Sequence, residues 1–193
     1  MGELFTHVRD AIRSQQPAAL ATVIEGHGVG AHLFVRPDTE PIGTLGNADL
    51  DRVVTRDALG EIEAGRAGVR HYGANGEANE TSVSVFIESY APPPQMLIFG
   101  AVDFTAALSR VAKVLGYRVT VCDARPVFAT KARFPMADEV LVDWPNRLLD
   151  KVGATLGMRD VICVLTHDAK FDVPAVVSAL ATKVGYIGVM GSR

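Results

Sequence analysis

The chain has 193 residues, 48% of them hydrophobic and 21% charged, with 19 basic against 22 acidic side chains and a formal net charge of −3. That composition supplies apolar material for one large or two small cores, leaves no basic excess to neutralise a nucleic acid, and contains no uncharged run near the roughly 18 residues of a membrane span. Its two cysteines, Cys122 and Cys163, each sit in an apolar run and read as reduced core thiols, and the acid-containing amphipathic N-terminus is no leader peptide, so a cytoplasmic protein is expected.

Residues 1–14 place Leu4, Phe5, Val8 and Ile12 at helical spacing, which predicts a helix with one buried stripe. AALATVIE (18–25) and GAHLFVR (30–36), parted by the turn residues Gly26 to Val29, predict a hairpin. His27 and His32 flank that turn without the further ligands a zinc site requires, so no metal is expected there. IGTLGNADLDRVVTRDALGEIEAG passes from a short extended piece through Gly43 and Gly46 into a helix. Its N-cap is Asn47 or Asp49, Leu50, Val53, Val54 and Leu59 point inward, and Gly65 ends it. VRHYG and the alternating TSVSVFIES (81–89), with Asn75-Gly76 as the turn before it, predict further strands. Residues 1–90 therefore read as a small α+β domain.

The prolines at 92–94 lack amide donors and favour a stiff extended backbone, which places a linker at 91–94. From 95 to 193 the pattern changes to buried apolar strands alternating with amphipathic helices: MLIF, FTAALSRVAKVLG, RVTVCD, DEVLVD, NRLLDKVGATL, VICVL, PAVVSALATK and YIGVM. Such alternation predicts an α/β domain, a Rossmann-like parallel sheet with helices on both faces.

In an open parallel sheet the ligand crevice lies outside the carboxyl ends of the strands. Four polar sets fall there: Gly100-Ala101-Val102-Asp103-Phe104-Thr105, then Asp123-Ala124-Arg125, then Thr166-His167-Asp168, and last Gly191-Ser192-Arg193. Asp123 lies about 20 residues beyond Gly100, the separation at which an acid ending the second strand meets a ribose hydroxyl. The phosphate turn, however, carries Val102 and Thr105 where the second and third small residues of a Gly-x-Gly-x-x-Gly turn belong. Asp103 adds a carboxylate at a helix start, expected to satisfy the free amides itself. It would repel a phosphate by up to about 4 kcal/mol at 4 Å and an effective dielectric of 20. Read blandly, Gly100 is a tight turn, Asp103 an N-cap, and Thr166-His167-Asp168 a self-satisfied turn; read functionally, His167 beside a carboxylate is a polar clamp or an acid/base. No nucleophile with a partnered base is evident, and no catalytic residue is assigned.

The second half resembles the Rossmann domain of the XdhC/CoxI family through Asp123-x-Arg125-Pro126, Arg133-Phe134-Pro135, Thr166-His167-Asp168 and Tyr186-Ile187-Gly188-x-Met190-Gly191-Ser192-Arg193. The first half is similar to that family's N-terminal domain through ATVIE and Ile42-Gly43-Thr44-Leu45-Gly46 leading into a helix. The resemblance implies a maturation factor that binds the molybdenum cofactor, a molybdopterin, and delivers it after sulfuration to xanthine dehydrogenase or a related molybdenum hydroxylase. Joined to the strand-end sets, it makes the expected crevice Gly100, Ala101, Asp123, Arg125, Thr166, His167, Asp168, Gly191, Ser192 and Arg193, with the amides near 191–193 and Arg193 expected to hold the phosphate in place of the altered first turn. Two motifs depart from the family: Asn47-Ala48-Asp49 stands for its Gly-Gly-Cys, which removes a thiol role from that loop, and Gly100-Ala101-Val102-Asp103 stands for its Gly-Ala-Gly-His. An NAD(P)-dependent oxidoreductase is the alternative suggested by the βαβ unit and Asp123, and a diverged assembly protein without a ligand is another. An open edge on the fifth strand makes a homodimer the expectation; neither nucleic acid nor membrane is expected as a partner.

Overall fold

The chain divides into two compact units, Met1–Pro92 and Pro93–Arg193, inside the proline run, and the computed structural model describes residues 2–191. In the first unit the elements are α1 (Gly2–Arg13), β1 (Ala18–Glu25), β2 (His32–Val35), β3 (Ile42–Thr44), α2 (Ala48–Ala64), β4 (Gly68–Tyr72) and β5 (Val83–Tyr90). The strands form one antiparallel sheet of order β3-β2-β1-β5-β4. Alternation along β1 and β5 sends Ala19, Ala21, Val23, Val83, Val85 and Ile87 to one face, where α2 covers them. Ala18 and Leu20 go to the other face, where α1 packs beside Phe34 and Tyr90.

The inward faces of both helices contain most of the expected residues. On α2 the buried ridge is Leu50, Val54, Ala58 and Ile62 with Val53 packed beside it, while Leu59, expected inward, is exposed. On α1 Leu4 and Val8 pack inward with Ala11, and Phe5 and Ile12, expected on the same stripe, face solvent. Asn47 is the N-cap of α2 and Gly65, in the left-handed region at φ 64°, ends it.

The second unit runs β6 (Gln95–Phe99), α3 (Asp103–Val114), β7 (Arg118–Cys122), β8 (Glu139–Leu141), α4 (Pro145–Val152) with a following 3-10 turn, β9 (Val161–Val164), α5 (Ala169–Leu180) and β10 (Tyr186–Val189). All strands are parallel, in the order β10-β9-β6-β7-β8. In chain order that is the doubly wound arrangement, with its switch point between β6 and β9. Successive side chains of β6 divide between two cores. Met96 and Ile98 join α3 and Phe134 on one face, while Leu97 and Phe99 join α4 and α5 on the other. Both faces are thereby covered, and β8 and β10 are the edges. No helix among the described residues is long and apolar enough to cross a membrane.

Candidate functional site

The carboxyl ends of β6, β7 and β9 meet at the switch point, and contacts between the polar sets hold them together. Gly100 leaves β6 at φ +117°, and a Cβ there would lie 2.9 Å from both the Leu165 carbonyl carbon and the Thr166 amide nitrogen. Only glycine lets the β6 exit approach the β9 exit this closely. The Gly100 amide donates to the Cys122 carbonyl at 2.9 Å and the Leu165 amide to the Phe99 carbonyl at 2.7 Å, so the three exits are tied by backbone alone.

Asp123 is buried, with 3% of its surface exposed, and its carboxylate is fully engaged by its own chain. Oδ2 accepts from the Ala101 amide at 2.9 Å and from Arg125 Nη2 at 2.8 Å; Oδ1 accepts from the Arg125 amide and Arg125 Nε, both at 2.9 Å. Burial alone would push this carboxyl up, but the bidentate guanidinium and the two amides outweigh it and hold the carboxyl below its ordinary range. A ribose hydroxyl would have to compete with four bonds already made. Asp123 therefore acts in this structure as the post that fixes the β6 turn to Arg125.

Arg125 lies with its guanidinium carbon 4.6 Å from the Phe128 ring centroid and 5.7 Å from that of Phe171, so β7's exit touches the start of α5. The Thr166 side chain is buried and donates to an Asp172 carboxylate oxygen, and Asp168 is the N-cap of α5, accepting from the Lys170 amide at 3.0 Å. His167 projects between them in the left-handed region at φ 56°, exposed, with its ring edge-on to Phe104 at 6.0 Å. β10 continues the line: the Met190 amide donates to the Val164 carbonyl at 2.9 Å, and Gly191 is exposed. Ser192 and Arg193 lie outside the described residues.

The turn into α3 differs from the sequence expectation. The sequence predicts Asp103 at the N-cap, satisfying the amides; in the structure Val102 is the N-cap residue, with no side-chain cap, and Asp103 begins the helix fully exposed. Val102 packs toward the core beside Ala101 and Phe134, which draws its bulk away from the sheet edge. Arg133 explains where the carboxylate goes. Its Nη2 donates to Asp103 Oδ1 at 3.2 Å while Nη1 donates to the Ala101 carbonyl at 3.0 Å and the Phe128 carbonyl at 3.2 Å. Sequence reading places Phe104 at this edge within the first strand-end set and misses Arg133, Phe128 and Trp144 as members of it. The Arg133-Phe134-Pro135 motif is visible, but only topology brings it to the β6 turn.

Both thiols are free and buried, in β7 and β9. Cys122 donates to the Asp143 carbonyl at 3.3 Å, and burial pushes its thiol up to about 12; burial also raises that of Cys163. Neither has the depressed pKa that a nucleophilic or soft-ligand thiol requires. The first unit's glycine turn offers no replacement, because Asp49 is a helix-start acid and Asn47 is consumed as a cap.

The edge presents a helix start without a side-chain cap, arginines paired with neighbouring carboxylates, and exposed rings at Phe104, Phe128 and His167, features whose chemistry suits an anionic group beside a flat ring.

Comparison with known proteins agrees with that architecture. Residues 96–193 match the profile of the XdhC Rossmann domain and residues 11–73 that of the XdhC and CoxI family. A protein from Bacillus subtilis (strain 168), named as a probable xanthine dehydrogenase subunit, is 28% identical over 113 residues, 58% of this chain and 34% of its own length. The Escherichia coli (strain K12) protein YqeB is 21% identical over 206 residues, covering 98% of this chain and 37% of its own. The chain thus spans about a third of the length of each of these relatives. A crystal structure described as a xanthine dehydrogenase from Bacillus halodurans superposes with a TM-score of 0.53 at 20% identity, over 97% of this chain and 82% of that one, a likeness of fold. With the Rossmann profile spanning half of its residues and a second profile on its first unit, the chain belongs to the XdhC and CoxI family.

Proposed function

We propose that the carboxyl edge of the parallel sheet binds the molybdenum cofactor as cargo, for delivery to a xanthine dehydrogenase-type molybdenum hydroxylase. Family membership supplies the direction, together with the name of the Bacillus subtilis relative, which ties that protein to xanthine dehydrogenase. The observation that carries the reading is the uncapped start of α3, held open by Arg133. The pterin phosphate takes the amides of Asp103 and Phe104, the Thr105 amide being held by the Val102 carbonyl at 3.1 Å, together with the charge of Arg133, and the ring system lies against Phe104 and His167. Gly100, Ala101, Asp123 and Arg125 act as the frame that keeps this turn in place, and Thr166, Asp168 and Gly191 border it. In this reading the chain holds and releases its cargo, and no bond is made or broken in it.

The NAD(P) alternative is weakened by the same geometry. A ribose-binding acid needs a free oxygen, and all four hydrogen bonds at Asp123 are internal; the second glycine that admits a pyrophosphate is Val102. The test is to purify the whole chain from cells that make molybdopterin, denature it, and identify the released small molecule by mass and oxidised-pterin fluorescence. A stoichiometric pterin is expected. A nicotinamide nucleotide in its place, or no saturable uptake of added molybdenum cofactor by the ligand-free chain, overturns the proposal.

A further inference from the structure

We infer that Lys170, with Arg125, forms a second anion site along the same edge, suited to a pyrophosphate group. The inference extends the cargo reading and rests on it only for the identity of the ligand, not for the existence of the site. Three cations lie on aromatic faces in a row. Arg133 is 5.7 Å from the Phe128 centroid, Arg125 is 4.6 Å from it on the way to Phe171, and the Lys170 ammonium is 5.6 Å from Phe171 and 5.2 Å from Trp144. Trp144 and Phe171 are themselves in contact, with centroids 5.0 Å apart, so the row has no gap from the α3 turn to the α4 start.

The charges in this row are not equivalent. Arg133 has Asp103, Arg125 has Asp123, and nearby Lys151 has Asp143. Among the described residues the Lys170 ammonium has only the two rings beneath it, while the carboxylate beside it, Asp168, is turned to the Lys170 amide as a helix cap. Rings hold an ammonium in place without satisfying its three donors. A phosphoryl oxygen arriving at Lys170 therefore breaks no ion pair, and it meets a cation already fixed by its stem and by aromatic packing. Arg125 lends the Nη1 edge of its guanidinium, since its bonds to Asp123 run from Nε and Nη2. Arg125 and Lys170 flank one ring, 5.7 and 5.6 Å from the Phe171 centroid, so a pyrophosphate is the anion suited to meet both.

The row contains its own reporter, since the chain has one tryptophan and it is Trp144. The experiment is titration of the whole chain with inorganic pyrophosphate and inorganic phosphate at fixed ionic strength, read by Trp144 emission and by calorimetry, with sodium sulfate as the ionic control. Pyrophosphate is expected to saturate at a concentration at least tenfold below phosphate. Lys170→Ala, an exposed substitution whose folding is checked by thermal melting, is expected to weaken pyrophosphate at least tenfold. Trp144→Phe should abolish the optical signal and keep the calorimetric one. Pyrophosphate that shows no saturable heat or emission change, that binds no better than sulfate, or that binds Lys170→Ala as tightly as wild type overturns the site. No pterin enters this titration, so its failure leaves the cargo reading standing. Conversely, a chain that binds pyrophosphate through Lys170 yet never carries a pterin keeps this site and loses the cargo.

Discussion

The two units each turn from a strand through glycine into a helix, and they finish that turn in opposite ways. Between β3 and α2 the turn closes on itself. Asn47 Oδ1 accepts from the Asp49 amide at 2.8 Å and the Leu50 amide at 3.4 Å, Asp51 accepts from the Leu45 amide and Thr44 Oγ1 at 2.7 Å each, and Thr44 Oγ1 accepts from the Gly46 amide at 3.0 Å. Between β6 and α3 the residue in the capping position is Val102, the helix-start carboxylate is pulled aside by Arg133, and the acid that anchors the turn comes from the next strand. A turn that spends its own polar groups on its own amides has none to offer a ligand; one fastened from behind by Asp123 can leave its front open. Sequence motifs with glycine in both places look alike, and the difference lies in where the carboxylates point.

The largest effect should come from removing the fastening. Asp123→Ala deletes four hydrogen bonds, leaves the Ala101 amide without its acceptor and unpairs an Arg125 whose side chain is 37% exposed, so a loss of about 3 kcal/mol is expected in urea denaturation of the second unit. Asp51→Ala, at a half-buried surface turn, should cost about 1–2 kcal/mol of the first. The two also separate by pH. The folded Asp123 carboxyl titrates below its unfolded value, so its stabilisation is complete above the unfolded value near ~4 and disappears as pH falls through the lower folded one. Asp123→Asn should flatten that part of the acid limb, and unchanged acid sensitivity in the variant would contradict the assignment.

Next come the glycines themselves. Gly46 and Gly100 both have positive φ, +101° and +117°, but a Cβ on Gly46 meets nothing within 4 Å whereas one on Gly100 strikes the backbone of residues 165 and 166 at 2.9 Å. Gly46→Ala should therefore show the conformational cost alone, about 1–2 kcal/mol. Gly100→Ala adds the displacement of β9's exit from β6, another ~1–3 kcal/mol. Equal losses at the two positions would mean that the β6–β9 closeness does not matter. Alanine at the two capping positions should rank the other way: Asn47→Ala costs about 1–2 kcal/mol because two amides lose their acceptor, and Val102→Ala under about 1, because only partial burial is lost.

Much of this contrast is out of reach of the sequence. The strands and helices are legible because their signals are local: alternation in VSVFIESY, three prolines, Asn47 before an apolar ridge, and acid-free runs such as VICVL. The α/β character of the second half follows from the same periodicities. The inward sides of α1 and α2 are legible at Leu4, Val8, Leu50, Val53 and Val54, and the borders of the stripes are not: Ala11 and Ala58 are buried where the larger Ile12 and Leu59 beside them are exposed, which summed hydrophobicity does not register. The carboxyl edge is legible as a series of strand ends and illegible as chemistry. Asp123 is saturated by a neighbour two residues along and an amide from another strand, and Arg125 meets Phe171 only because β7 and β9 flank β6. The pairings of Asp123 with the Ala101 amide and of Arg125 with Phe171 are set by strand order, and no spacing within one segment encodes them.

A modest change to stability should give the sharpest reading of the open turn. Arg133 is about one-third exposed and Asp103 wholly so, so their ion pair adds little. Arg133→Ala also removes the bonds to the Ala101 and Phe128 carbonyls, and the melting temperature should fall by a few degrees, about 1 kcal/mol. The functional consequence should be larger. Without Arg133, the Asp103 carboxylate is free to lie against the unfilled amides at the start of α3, where it both occupies the donors and repels an incoming phosphate. Cargo affinity should then fall at least tenfold in Arg133→Ala, and part of it should return in the double variant with Asp103→Ala, since that removes the competitor as well as the guard. Loss of affinity without recovery would make Arg133 a direct phosphate ligand and nothing more. Wild-type affinity in the single variant would mean that the phosphate does not sit at α3 and that the open turn is only a gap in the capping.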